Sequence, residues 1–218
     1  MSDFLRQALA NNERWAERKR AEDPEYFERL ARGQNPEILY IGCSDSRVTV
    51  EEMLGAAPGQ VFVHRNIANQ VVLTDANVGA VLQYAVEQLH VEHIVVCGHY
   101  ECGGVASALA PTDMGQLNNW LQTLRDVYRL HRTELDAELD DRLRSRLLVE
   151  LNVREQCLNV IKSHHVQRAW YKTGFPKVHP WVFDIEQGRV RDLGLDMSEE
   201  FADLRAIYDL KPVGPRAR

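Results

Sequence analysis

Three residues able to bind a soft or borderline metal stand just after two short apolar runs. Ile38-Leu39-Tyr40-Ile41-Gly42 leads into Cys43-Ser44-Asp45-Ser46-Arg47, and Ile94-Val95-Val96-Cys97-Gly98 leads into His99-Tyr100-Glu101-Cys102-Gly103-Gly104. Thiolate and imidazole are ligands that suit zinc, and three protein ligands leave a fourth position for water or substrate, as in catalytic zinc sites. A lone H-x-x-C is weak. A second ligand at an equivalent position of another run makes the pattern far more restrictive. The plain alternatives are a buried core cysteine at Cys43 and a helix-capping histidine at His99.

Asp45 has two roles open to it. It could close the site as a fourth ligand, or pair with Arg47 and leave that position to water. An Asp–Arg pair can be bidentate and fixes the carboxylate. Beside a three-ligand metal site, such a carboxylate could accept a hydrogen bond from bound water and orient it. Zinc with two thiolates is formally neutral, so the bound-water pKa is expected at or above the value of about 7 found with three histidines. Gly103 and Gly104 open a helix, where their N–H groups could face an anion; the alternative is a tight turn that needs glycine.

These residues need a scaffold that brings two chain segments together at one edge. Continuous apolar runs of β-branched and aromatic residues read as strands buried on both faces, as in a parallel sheet. Chemistry in open α/β sheets sits past the carboxyl ends of such strands. The chain has 218 residues, 44% hydrophobic and 27% charged, enough for one domain with a substantial core. A net charge of −6 gives no pointer to nucleic acid or an anionic membrane. No apolar run approaches the roughly 18 residues of a membrane span. The charged N-terminal segment does not read as a secretory signal, and four cysteines without one favour a metal site over a disulfide framework. A cytoplasmic location is expected.

Residues 3–20 read as an amphipathic helix with a thin apolar stripe, either packed on its own domain or wrapping another subunit. Asp23-Pro24 suggests the start of a second helix, 25–31. After the first strand, 48–54 reads as a short helix ending at Gly55, 60–66 as a strand, and 67–75 as a loop. Val78, Val81, Leu82, Ala85, Val86 and Leu89 then follow helical spacing into the third strand. Helices are expected over 103–109, 115–131, 134–163 and about 165–171. Leu135, Leu139, Leu143, Leu147 and Leu151, spaced by four, mark a stripe that winds slowly round the long helix or a helix that breaks. Strands at 177–185 and 189–193, joined by Glu186-Gln187-Gly188, read as an antiparallel edge hairpin. A helix at 198–208 and a tail fraying from Lys211 onward complete the chain. The predicted class is α/β: a mostly parallel four-stranded sheet plus an antiparallel edge strand, flanked by helices, with an N-terminal helical arm. One domain is expected, comprising an arm (1–32), a zinc-site core (33–110) and a helical segment with the terminal hairpin (111–218).

Cys43-Ser44-Asp45-Ser46-Arg47, Arg65-Asn66-Ile67-Ala68-Asn69 and His99-Tyr100-Glu101-Cys102-Gly103-Gly104 together resemble the signature of the β-class carbonic anhydrases, bacterial type, and the similarity spans nearly the whole chain. The resemblance implies that Cys43, His99 and Cys102 bind one zinc ion per chain, that Asp45 with Arg47 is a catalytic dyad, and that zinc-bound hydroxide attacks CO2 to give bicarbonate. It also implies a homodimer or homotetramer built through exchanged N-terminal helices. Some bacterial members hold a regulatory bicarbonate between a Trp, an Arg and a Tyr; the matching positions here are Tyr40, Arg65 and Phe183. With two of the three changed, a weakened or absent bicarbonate switch is expected. His64, His90, His93, His131, His164, His165 and His179 receive no role. The rival readings are hydrolysis of a CO2 analogue such as CS2 or COS on the same scaffold, and an inactive zinc-stabilised binding protein. A phosphate-binding protein using Gly103-Gly104 is more distant, since no Lys-Ser/Thr follows.

Overall fold

The computed structural model describes residues 1–211, so the expected fraying beyond Lys211 lies outside the described residues. The chain divides into two units, Met1–Asn35 and Pro36–Arg218.

The first unit is a pair of helices, α1 (Asp3–Glu22) and α2 (Tyr26–Ala31). Ser2 caps α1, its Oγ accepting from the Leu5 N–H, and Lys19 and Arg20 oppose the dipole in the last turn. Pro24 does not open α2 as expected. Asp23 instead accepts from the Glu25 N–H and pairs with Arg29, so the second helix begins after this turn. Trp15 meets Phe27 and Tyr26 edge to face, with centroids 5.4 and 6.5 Å away. No residue of either helix is buried, and Phe4, Leu5 and Leu9 are 79%, 50% and 60% exposed.

The second unit is built on a five-stranded sheet in the order β2-β1-β3-β4-β5. Its strands are β1 (Ile38–Cys43), β2 (Val61–Asn66), β3 (His93–His99), β4 (Lys177–Asp184) and β5 (Arg189–Asp192). The first four run parallel and β5 returns antiparallel, matching the predicted class. Alternation of side chains divides the sheet residues between two cores. Leu39, Ile41, Ile94, Val96, Val178 and Val182 belong to the large one, and Tyr40, Val95, Cys97, Trp181 and Phe183 to the small one.

The helices of this unit are α3 (Val50–Leu54), α4 (Ala76–Gln83), α5 (Gly103–Leu109), α6 (Leu117–Leu130), α7 (Arg132–Ala137), α8 (Asp141–Lys162), α9 (His164–Thr173), α10 (Met197–Ala202) and α11 (Arg205–Tyr208). Gly55, at φ 63°, closes α3. A π turn over Tyr84–Gln88 extends α4. The single long helix of 134–163 is corrected to α7 and α8. Asp140 caps α8, accepting from the Arg142 and Leu143 N–H groups, and Glu138 is extended at ψ 114°. The leucine stripe breaks with it: Leu135 is buried whereas Leu139 is 87% exposed. The expected 198–208 helix likewise divides into α10 and α11, with Asp196 capping the first.

α8 lies directly on β3. A Cβ at Gly98 would stand 2.7 Å from Val153 Cγ2 and 3.0 Å from Val149 Cγ1, so glycine there lets helix and strand approach. This contact fixes α8 against the strand that ends in His99.

Candidate active site

β1 ends at Cys43 and β3 at His99. Cys102 follows His99 after a one-residue left-handed excursion at Glu101, φ 56°, and is the residue from which α5 starts. The parallel register, with Gly42 beside Cys97, sets the two strand ends side by side. One ligand atom each from Cys43, His99 and Cys102 lies within 4.8 Å of the others, and all three residues are buried. The two sulfurs are 3.9 Å apart, close to the roughly 3.8 Å of two thiolates at about 2.3 Å from one tetrahedral zinc.

The histidine supplies an independent test of fit. His99 Nδ1 is 2.9 Å from the Tyr100 carbonyl oxygen. A carbonyl only accepts, so Nδ1 carries the proton and Nε2 presents a lone pair. That buried Nε2 has no hydrogen-bond partner, the state expected of a nitrogen reserved for a metal.

The thiols are electrostatically coupled. The Cys43 thiol is pulled down by its hydrogen bond to Cys102; burial opposes this, and His99 and the Ala68 N–H add to it. The Cys102 thiol is pushed up by Cys43 and by burial, with the Gly104 and Val105 N–H groups pulling the other way. Two sulfurs this close cannot both ionise without a cation between them. Only Gly104 of the glycine pair has a visible local role. Its N–H favours the Cys102 thiolate, and a Cβ on Gly104 would stand 2.8 Å from Ile67 Cγ2, whereas Gly103 has open space.

The Ala68 N–H reaches Cys43 Sγ at 3.4 Å from a 3-10 turn, Ile67–Asn69, within the expected loop. Ala68 and Asn69 are left-handed, at φ 60° and 46°, which is uncommon outside glycine. Buried amides pin this turn. Gln70 Nε2 and Asn152 Nδ2 both donate to the Ala68 carbonyl, at 2.7 and 3.1 Å. Gln70 and Gln156 both donate to Asn152 Oδ1 at 3.0 Å. Gln156 Oε1 accepts from the Val71 N–H. Sequence reasoning missed these residues; polar positions on the buried face of α8 were the only signal.

Asp45 and Arg47 are paired. Arg47 Nε donates to Oδ1 at 3.0 Å, Nη2 to Oδ2 at 2.8 Å, and the Arg47 backbone N–H to Oδ1 at 3.0 Å. These bonds hold the Asp45 carboxyl well below the usual carboxylate range, with burial opposing and His99 assisting. Asp45 Oδ2 is 3.8 Å from His99 Nε2, so the carboxylate borders the ligand cluster. Arg65 Nε and Nη2 donate to the carbonyls of Cys43 and Asp45 at 2.8 and 2.6 Å, tying β2 to the site loop. Tyr40 is buried with no partner for its hydroxyl, and Phe183 packs against the same small core.

An α/β sheet carrying two thiols, an imidazole lone pair and a bidentate carboxylate–guanidinium pair at its strand ends defines a mononuclear zinc enzyme. A family profile described as carbonic anhydrase matches residues 38–190. A carbonic anhydrase of Emericella nidulans is 54% identical over 200 residues, covering 92% of this chain and 88% of that one. Among solved structures, a β-carbonic anhydrase of Sordaria macrospora, described as tetrameric, superposes with a TM-score of 0.86 at 44% identity, over 89% of this chain and 98% of that one. A β-carbonic anhydrase of Aspergillus fumigatus gives 0.88 at 40% identity, over 96% and 100%. The chain belongs to the β-class carbonic anhydrases. It is a zinc-dependent lyase that reversibly hydrates CO2 to bicarbonate and a proton. Among the described residues, no helix is long and apolar enough to cross a membrane.

Proposed function

We propose that Cys43, His99 and Cys102 hold the zinc ion and that Asp45 with Arg47 forms the catalytic dyad of CO2 hydration. The observation that carries this is the unpartnered Nε2 of His99, buried beside two sulfurs 3.9 Å apart and within 3.8 Å of Asp45 Oδ2. When bound, zinc supplies the Lewis acidity that makes water a nucleophile near neutral pH. The protein residues do the rest. His99 is oriented by the Tyr100 carbonyl, and Cys43 is supported by the Ala68 N–H. Arg47 keeps Asp45 ionised and aimed, so its carboxylate accepts a hydrogen bond and has no proton with which to donate one. Uncharged CO2 needs no ion pair to enter. Gly104 serves the Cys102 thiolate and the close approach of the Ile67–Ala68 turn rather than a substrate anion.

Arg65 has its Nε and Nη2 donors committed to two backbone carbonyls. Tyr40 and Phe183 belong to an apolar cluster, which supports a chain without the bicarbonate switch. The exposed Phe4, Leu5 and Leu9 stripe of α1 supports assembly of a homodimer or homotetramer through the N-terminal helices. The four free cysteines support a reducing, cytoplasmic setting.

Stopped-flow CO2 hydration on protein of measured zinc content, over about pH 6.5–9, tests the reading. Fast hydration that depends on zinc and on Asp45 is expected. A zinc-loaded chain without hydration at any pH would exclude it. Bicarbonate bound at Arg65 in soaked crystals would overturn the reading of the lost switch.

A further inference from the structure

The turn between His99 and Cys102 is held from outside by a second layer of charge, and that layer reaches Arg47. Glu101 adopts the left-handed conformation, φ 56°, which a residue with a Cβ keeps only when its surroundings impose it. Its carbonyl oxygen accepts from Arg47 Nη2 at 3.1 Å. That oxygen lies in the planar peptide unit joining Glu101 to Cys102. One rigid plane thus carries the acceptor that steers Arg47 and the backbone nitrogen of a proposed zinc ligand.

The side chain of the same residue is clamped. Glu101 Oε1 accepts from Arg146 Nε at 3.0 Å and lies 3.0 Å from Arg146 Nη2, with Arg142 at 3.4 Å. Arg146 is fixed in turn. Its Nη2 reaches Glu186 Oε2 at 3.0 Å and its Nη1 lies 3.9 Å from Asp184 Oδ2. Its guanidinium covers the Tyr100 ring at 4.5 Å. Tyr100 is itself held through its hydroxyl by Arg191 and Glu150. The buried Asp184 caps the β4–β5 turn through the Glu186 and Gln187 N–H groups. Glu101 is therefore locked between α8 and the edge hairpin.

We infer that Arg146, through the Glu101 carboxylate and carbonyl, is a positioning residue that sets the direction of Arg47 and so of Asp45. This rests on Asp45–Arg47 being the catalytic dyad. Without the clamp, the 101–102 peptide is free to rotate away from its left-handed setting, and Arg47 loses its third acceptor. Arg142 is the weaker partner, at longer distance and more exposed.

The test is a double-mutant cycle on zinc-loaded enzyme, with Arg146→Ala, Arg47→Ala and the pair, reading kcat, kcat/KM, zinc content and Tm. Arg146→Ala is expected to lower kcat/KM about tenfold with zinc content unchanged. In the Arg47→Ala background the same change is expected to cost almost nothing further in rate, while Tm still falls, because Arg146 also loses its contacts with Glu186 and the Tyr100 ring. Arg146→Lys, which keeps a charge for Glu101 but not the two-sided reach to Glu186, should recover part of the rate. Rate losses that add across the cycle, or an activity loss that follows zinc loss, would overturn the inference. An Arg47→Ala enzyme with full activity would instead remove the dyad reading on which it rests. Should Arg146→Ala not fold, Glu101→Gln weakens the same clamp with little change of shape, and the cycle with Arg47→Ala is read the same way.

Discussion

Arg47 holds both carboxylate oxygens of Asp45, and the oxygen bound by Nη2 at 2.8 Å is the one that stands 3.8 Å from His99 Nε2. The carboxylate therefore faces a fixed cation on one side and the proposed metal-ligand cluster on the other. The sequence left open whether Asp45 would join Arg47 or complete the ligand set. In the structure it is joined to Arg47 through both oxygens, with a third bond from the Arg47 backbone. The Arg47 hydrogen bonds hold its carboxyl well below the usual carboxylate range, so it stands ready as an acceptor near neutral pH.

Asp45→Asn is expected to lower kcat/KM about 10²-fold with zinc content unchanged, because the amide puts a donor where a carboxylate accepted. The sign of its pH effect follows from Arg47. The folded pKa is depressed, so the carboxylate's contribution to stability is present above its unfolded value, about 3.9, and is lost only as pH falls below that toward the folded value. Asp45 therefore does not titrate near neutrality. Any acid limb of the rate profile between about pH 6 and 8 should survive in Asp45→Asn. Its disappearance in stopped-flow measurements would contradict this assignment.

Zinc removal gives the second prediction. Ligands that bind only the folded state stabilise it, by about 4 kcal/mol at a thousandfold excess over Kd. Chelation should abolish hydration and lower Tm by several degrees, and zinc alone should restore both. Because both thiols must be ionised to bind, zinc release should accelerate as pH falls. Chelator-treated protein with unchanged Tm would show that the site contributes little to folding.

The candidate ligand cluster was legible because apolar strands stop abruptly at chemical residues: Ile41-Gly42 gives way to Cys43, and Cys97-Gly98 to His99. The edge hairpin was legible from a three-residue loop with glycine. What held these residues in place was not. Gln70 and Asn152 are 82 positions apart, and nothing local says that they share one carbonyl. The α7–α8 break was masked by regular leucines, although Asp140 carried the capping signal. The left-handed Ala68, Asn69 and Glu101 have no glycine to announce them. Tertiary contacts impose those conformations, so a single sequence read locally does not reveal them.

Gly42 should be intolerant of any side chain. A Cβ there would stand 2.3 Å from Tyr40 Cε1 and 2.9 Å from Tyr40 Cζ, and the ring is wholly buried. Gly42→Ala is expected to destabilise by about 1–3 kcal/mol, the usual cost of overpacking. Tyr40→Phe, in contrast, removes a buried hydroxyl that has no partner and should be neutral or stabilising by up to about 1 kcal/mol. Urea midpoints of the two variants check both signs. A strongly destabilised Tyr40→Phe would mean that the hydroxyl has a partner in the assembled enzyme.

His93 Nδ1 and His179 Nε2 are 2.9 Å apart, which requires one ring nitrogen to be unprotonated. Burial first, then His93, lowers the His179 pKa; Asp192 opposes and Lys177 assists. For a histidine with a lowered folded pKa, the neutral form is the native one. Its stabilising effect is present above the unfolded value of about 6.5 and lost as pH falls from there toward the folded value. Wild-type Tm should therefore drop between about pH 6.5 and 5 by more than that of His179→Gln. Equal slopes in a thermal-shift series would rule out this pair as a source of acid sensitivity.

The buried amides behind the Ala68 turn give the sharpest stability prediction. Asn152 Oδ1 accepts from Gln70 and Gln156, and its Nδ2 donates to the Ala68 carbonyl. Asn152→Leu keeps the branched outline but adds volume at a buried site, and it strands two buried donors. An unsatisfied buried group costs about 1–3 kcal/mol, and the loss couples through the network. A total of about 2–4 kcal/mol is expected, read as a lower urea midpoint with unchanged m. The turn also aims the Ala68 N–H at Cys43 Sγ, so zinc should leave the variant faster than wild type in a chelator competition. Asn152→Asp tests the same point from the other side, because a carboxylate still accepts from both glutamines but has no donor for the Ala68 carbonyl. If Asn152→Leu loses stability without faster zinc release, the network supports the core alone. If both change together, the amides of α8 are part of what holds the zinc-site loop.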